Sequence, residues 1–264
     1  MKDRDVKEAR SDFCLGKFQF GMPSVKTGMN WMLGLCLLIA LFIVSRYNYL
    51  LFHCFAEFFS IAVAIALFIV VWNAREYIGN RALVFLGIAY LFVGGLDLIH
   101  TIAYKGMGVL DPDWGANPAT QLWIAARLME SISLCLLPLL SLKRIRPYLT
   151  VAIYAALTAL LLLSIFFWQN FPDCYLEGSG LTLFKKTGEY VICAVLAAAL
   201  VLLFRRRQDF DPKVFRFLAA AILLTILGEL AFTMYVSVYG HSNLLGHFFK
   251  IVSYSMIYLA LVRS

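Results

Sequence analysis

Histidines spaced by one helical turn from carboxylates or an amine, in an otherwise apolar chain, are the groups whose types and spacing could do chemistry. Glu57 follows His53 by four positions, Asp97 precedes His100 by three, Tyr104 follows His100 by four, and Lys250 follows His247 by three. Trp123, Arg127 and Glu130 repeat the pattern, and Glu229 interrupts another apolar run. Positions three or four apart share a helix face, so each set can aim at a common point. Neutral imidazoles of His53, His100 and His247, with Glu57 or Asp97 as ligand or as acceptor behind a ligand, suit a transition metal such as zinc or copper, or the iron of a haem. Without a metal, the same side chains frame a cavity for a small anionic or quinone-like molecule. Arg127 and Lys250 would be its cationic partners, and Trp123 and Tyr104 its walls. Both chemistries stay open. Plainer roles stand beside them: Arg127 and Glu130 can neutralise each other within one helix, and His241 reads as an interfacial side chain.

The elements that must position these groups follow from composition. Of 264 residues, 62% are hydrophobic and 15% charged, which leaves too little polar surface to cover a soluble globule. Apolar runs of membrane-spanning length recur eight times, at 29–45, 51–73, 82–104, 119–142, 149–168, 187–204, 214–238 and 243–262. The expected fold is all-α: a polytopic membrane bundle of eight transmembrane helices over residues 29–264, after a cytoplasmic segment 1–28. Lys and Arg alternate accordingly. Lys2, Arg4, Lys7, Arg10, Lys17 and Lys26 precede span 1, and Arg75 and Arg81 follow span 2. Lys143, Arg144 and Arg146 follow span 4, Arg205, Arg206, Arg207, Lys213 and Arg216 follow span 6, and Arg263 follows span 8. The other loops hold only Arg46, Lys105, Lys185 and Lys186. Basic residues favour the cytoplasmic side, so both termini are expected there, as in a multi-pass protein of the inner membrane.

Under that topology the four histidines share the outer side, and five spans contribute their ionisable groups to one outer-leaflet layer. Such groups are costly in lipid unless they face the bundle interior and find partners, so the layer reads as a ligand site. The cytoplasmic half of the spans carries no ionisable side chain, unlike a conduction path that must cross the bilayer.

The formal net charge of +7 is accounted for by a basic face beside anionic lipid, with no nucleic acid required. Asp3, Asp5, Glu8 and Asp12 do not fit the n-region of a cleavable signal, so span 1 reads as an uncleaved anchor. The six cysteines form no C-x-x-C pair and read as small apolar fillers. Gly94, Gly95, Gly228 and Gly246 read as points of close helix approach, and Leu67 as a lipid-facing position. Phosphate loops, HExxH and GxSxG are absent. A metal-dependent membrane hydrolase or oxidoreductase is the alternative function. It would have to draw on three histidines, an acid and Ser131 or Ser133, without an HxxxH pair.

Four dispersed segments carry a resemblance: His53-Cys54-Phe55-Ala56-Glu57; Leu96-Asp97-Leu98-Ile99-His100-Thr101 with Tyr104-Lys105-Gly106-Met107; Ala119-Thr120-Gln121-Leu122-Trp123-Ile124-Ala125-Ala126-Arg127; and Leu245-Gly246-His247-Phe248-Phe249-Lys250. In this order, over about 51 to 262, the chain resembles the third class of the bacterial membrane-associated sensor domains. The resemblance implies a multi-span input module joined to a cytoplasmic histidine kinase or diguanylate cyclase, and hence a place in two-component or cyclic di-GMP signalling. It leaves the ligand open. The sequence reaches Ser264 without such a domain, so an output domain is expected fused at the C-terminus or associated there, with a homodimer as a possible assembly.

Overall fold

The structure is a computed structural model that describes residues 25–110, 114–141, 145–233 and 241–262, with side chains described from Met32 and, in the last stretch, from Ser242. Eight α-helices follow in order: α1 (Val25–Tyr47), α2 (Tyr49–Ala74), α3 (Arg81–Ala103), α4 (Asn117–Leu140), α5 (Pro147–Leu162), α6 (Leu183–Arg205), α7 (Pro212–Thr233) and α8 (His241–Val262). A π-helical turn, Leu163–Phe167, extends α5. Each helix coincides with one expected span. Seven of them are long and apolar enough to cross a membrane, and the apolar stretch Met32–Tyr47 of α1 is shorter. A helix rises about 1.5 Å per residue, so 23 residues reach across a hydrocarbon core about 30 Å thick. The chain is therefore an all-α, multi-pass membrane protein.

Local signals set the helix starts. The side chains of Asn48, Asn80 and Thr182 accept hydrogen bonds from the amides of Leu51, Ala82 and Lys185. Pro118 and Pro147 occupy first turns, where a missing N–H costs nothing.

The described chain divides after Ala40 into two units, and the site belongs to the second, residues 41–264. Within that unit α2 packs on α3, α3 on α4, α4 on α6, α6 on α7, α7 on α8, and α8 back on α2, which closes a ring of six helices. Helix α5 packs on α3 outside the ring. A short antiparallel pair, β1 (Tyr175–Leu176) and β2 (Gly180–Leu181), links α5 to α6.

One half of the ring is filled by apolar side chains. Leu67, Val71, Leu86, Leu137, Leu196, Leu203, Leu218 and Ile257 are wholly buried there. Leu67 does not face lipid as expected: α2 turns Ala64, Leu67 and Val71 inward as one stripe of three- and four-residue spacing. The glycines divide. A Cβ at Gly94 would lie 2.8 Å from Ala64 Cβ, and one at Gly246 would lie 2.4 Å from the Phe232 ring, so both are sites of close approach. Gly228 would make an ordinary contact at 3.5 Å. Gly95 meets nothing within 4 Å. One residue further along turns it about 100° from the contact face. Gly87, 2.8 Å from Val71 by the same measure, is a close approach that the sequence reading passed over.

Candidate functional site

The other half of the ring holds the polar layer. His53 is the fifth residue of α2, His100 lies in the last turn of α3, and Trp123 lies in the second turn of α4. Phe232 is next to last in α7, and His247 is in the second turn of α8. Antiparallel threading brings these ends to the same level. The sequence-predicted groups are all buried: His53, Glu57, Asp97, His100, Tyr104, Trp123, Arg127, Glu130, Glu229, His247 and Lys250.

Arg127 organises the deeper part. Its Nη2 donates to Asp97 Oδ1 at 2.6 Å and Oδ2 at 2.7 Å, its Nη1 pairs with Glu130, and Tyr254 Oη lies 3.2 Å from Nη2. The Arg127–Glu130 pair within α4 is thus real but only part of the role of Arg127. Tyr254 donates to Asp97 Oδ2 at 3.1 Å, and Tyr90 donates to Glu130 Oε1 at 2.6 Å. Lys250 Nζ reaches Asp97 Oδ2 at 3.0 Å and Glu57 Oε2 at 2.5 Å. Its ammonium also lies 4.8 Å from the centre of the Trp123 ring, and the Arg127 guanidinium 5.0 Å. A connected path, Tyr90–Glu130–Arg127–Asp97–Lys250–Glu57, therefore ties α2, α3, α4 and α8 together. Each charge has an opposite charge as neighbour, the condition under which buried ions are retained in an apolar medium.

The histidines form the layer above. The His53 ring stacks on Tyr104 at 3.7 Å between centroids and lies 5.4 Å from His100 and 5.0 Å from His247. His100 Nδ1 is 2.7 Å from the Ala119 carbonyl oxygen, and His247 Nδ1 is 2.8 Å from that of Asn243. A carbonyl can only accept, so these contacts assign a proton to Nδ1 in both rings and leave Nε2 to meet a further partner. His247 Nε2 is 3.3 Å from Glu57 Oε1. A cavity of about 30 Å³ lies among His53, His100, His247, Trp123, Lys185 and Phe232. Glu229 is set deeper, around a void of about 10 Å³ that it shares with Arg127, Lys250 and Tyr254.

Sequence reasoning missed several groups. Lys185, expected in a loop, is buried, because α6 begins at Leu183 and so includes it in its first turn. It pairs with buried Glu189 four residues on, a spacing the sequence displays. The layer thus draws on six helices where five were expected. Tyr90 and Tyr254 gave no sequence signal, since a tyrosine in an apolar span reads equally as packing. Ser131 and Ser133, the nucleophiles that a hydrolase would need, are engaged elsewhere. Ser131 donates to the Leu128 carbonyl, and Ser133 Oγ bonds the Met129 carbonyl and Tyr154 Oη. The side chain of His241 lies outside the described residues. A larger cavity, about 680 Å³, runs between α4 and α5, but its walls are chiefly apolar, among them Leu128, Ile132, Leu136, Ile153 and Leu157. It is a space of lipid-like character and does not reach the histidines.

The loop that follows α5 is clamped over the same end. Gln121 donates to the carbonyls of Phe171 and Pro172, Asn117 donates to Asp173, and Asn117 Oδ1 accepts from the amides of Cys174 and Tyr175. Lys105 pairs with Glu177 at 2.9 Å, and the amide of Ala116 donates to the same carboxylate. The Lys105 ammonium holds the Glu177 carboxyl below the usual carboxylate range. Burial pushes the Cys174 thiol up to about 12, so this cysteine stays a neutral filler. Gly115 is required in this clamp: its φ is +60°, and a Cβ there would come within 2.7 Å of Glu177 Oε1.

Comparison with known proteins adds one finding to this geometry. The sequence matches a family described as MASE3, membrane-associated sensor domain, over residues 44–264. No curated protein and no solved structure matches the chain. The match covers α2 to α8 entire, with every residue of the polar layer, and so this chain belongs to the MASE3 family of membrane-associated sensor domains.

Proposed function

We propose that this sensory membrane module is the input half of a signal-transduction protein of the inner membrane, that the His/Asp/Glu/Arg layer is its ligand site, and that α8 carries the signal to a cytoplasmic output domain. The observation that carries the reading is the pair of charged hydrogen bonds that Lys250 donates, one to Glu57 and one to Asp97. It fixes α8, the last described helix, to α2 and α3 through the polar layer. A ligand that competes for Glu57 or the histidines changes how strongly α8 is held, and only a ligand with different interaction energy in two arrangements can shift their balance. The basic loops favour a topology with both termini in the cytoplasm and the layer in the outer leaflet. A helix leaving α8 would then enter the cytoplasm in phase with its packing on α7. The output partner fits a histidine kinase or a diguanylate cyclase, fused or associated at the C-terminal side. In this reading the chain itself performs no catalysis.

The test is to join the chain in helical phase to a kinase or cyclase reporter and to measure output at matched membrane expression. Glu57→Gln, Asp97→Asn and His247→Gln keep size while removing charge or proton capacity, and each should lock or blunt the response. Ile69→Leu, at a position 52% exposed on α2, should leave it unchanged. Responses equal to wild type in all three polar variants reject the layer as the sensing site.

A further inference from the structure

We infer that the upper part of this layer is a binding site for one divalent transition-metal ion of the zinc class, held by His53, His100, His247 and Glu57. The inference rests on the reading of the layer as a ligand site and names the ligand's chemistry.

Four observations converge. First, donor atoms of His53, Glu57 and His100 all lie within 4.8 Å of one another, and His247 Nε2, outside that mutually close set, borders it at 3.3 Å from Glu57 Oε1. A tetrahedral ion with bonds of about 2.0–2.2 Å would hold these atoms somewhat closer together. Second, one set of donors is left over: neither nitrogen of wholly buried His53 has a hydrogen-bond partner among the described residues. A buried polar atom without a partner is a cost that a ligand removes. Third, the outer nitrogens of His100 and His247 face backbone carbonyls. That is the arrangement that fixes the tautomer and orients a metal-binding imidazole.

Fourth, the charges do not cancel. Among the described residues of the layer, Glu57, Asp97, Glu130, Glu189 and Glu229 are five buried carboxylates against three buried cations, Arg127, Lys185 and Lys250. Acidic groups thus outnumber basic ones in the layer, the setting in which a bound cation is favoured. The cavity of about 30 Å³ beside the histidines admits an ion or a water and is far below the size of a porphyrin or a quinone. Imidazole nitrogens with one carboxylate oxygen suit zinc and its neighbours better than calcium or magnesium, which prefer oxygen ligands.

The experiment uses the purified full chain, stripped with a chelator and titrated with Zn²⁺ in a nanodisc. Expected are one ion per chain and a zinc absorption-edge spectrum fitted by nitrogen and oxygen neighbours without sulfur. His53→Ala, His100→Ala and His247→Ala should each weaken Zn²⁺ binding by at least about tenfold. Glu177→Gln, at an exposed carboxylate, should leave it unchanged. Wild-type spectrum and stoichiometry need no variant to fold, so they decide the matter even if an alanine variant is lost. Absence of saturable binding to wild type, or sulfur in the coordination shell, overturns the inference. If wild type binds no Zn²⁺ while Glu57→Gln and Asp97→Asn still alter reporter output, the metal is wrong and the sensor reading stands. If Zn²⁺ binds and output ignores the layer, the converse holds.

Discussion

Lys250 of α8 donates to Glu57 of α2 at 2.5 Å, across 193 positions of sequence. Both residues are buried, so this pair is a lateral tie between the first and last helices of the six-membered ring. It closes the ring where the polar layer lies, and α7 and α8 pack together beneath it.

The deeper ion network should be costly to break and cheaper to trim. Asp97→Ala leaves the Arg127 guanidinium buried without its two-oxygen partner and should destabilise the chain by about 3–5 kcal/mol. Tyr90→Phe removes one hydrogen bond to a carboxylate and should cost about 1.5–3 kcal/mol. Thermal inactivation in detergent orders the variants. Equal melting of Asp97→Ala and wild type would show that Arg127 finds another partner.

Helix contact at Gly94 and Gly246 should tolerate no added side chain. Gly246→Ala places a Cβ against the Phe232 ring and should destabilise by about 1–3 kcal/mol, while Gly95→Ala, facing open space, should cost nothing or gain slightly. The same melting assay separates the two.

Acid should loosen the clamp that the loop after α5 makes over the polar layer. The Glu177 carboxyl is held below its ordinary range by Lys105, so its contribution is present above the ordinary glutamate range and is lost as pH falls through the lowered value. Hydrogen exchange at the amide of Ala116, which donates to that carboxylate, should speed up as pH falls below the ordinary glutamate range. In Glu177→Gln, whose amide oxygen can still accept but does not titrate, this acid step should be absent. An exchange rate in wild type that does not change with acid, after correction for intrinsic chemistry, contradicts the clamp.

Topology can be checked apart from function. With native cysteines replaced, a single cysteine at Leu176 should react with an impermeant reagent from outside and one at Arg206 only from the cytoplasm. Reaction of both from the same side would sink the assignment of the layer to the outer leaflet.

Much of this arrangement was legible in the sequence because a membrane writes in long runs. Eight apolar stretches correspond to the eight α-helices of the described residues, and the charges interrupting them were bound to turn inward, as His53, Asp97, Arg127 and Lys250 do. What the sequence could not show was partnership between helices. Arg127 and Glu130 are visible as a pair three residues apart, but Asp97 as the second acceptor depends on the crossing of α3 and α4. Leu67 was misread because an apolar residue has the same composition signal facing lipid or core. Lys185 was misread because a lysine at a span end reads as loop, and the start of α6 four residues earlier than expected was set by Thr182, a cap that hydropathy does not weigh.

The claim that the tie between α8 and the layer sets the signalling state is tested most directly by a double-mutant cycle on Glu57 and Lys250 in the reporter fusion. Glu57→Gln and Lys250→Met should each shift output, and the double variant should shift it less than the two single effects combined, because one contact is lost in all three. Single variants with wild-type output at matched expression, or effects that simply add, would contradict the account.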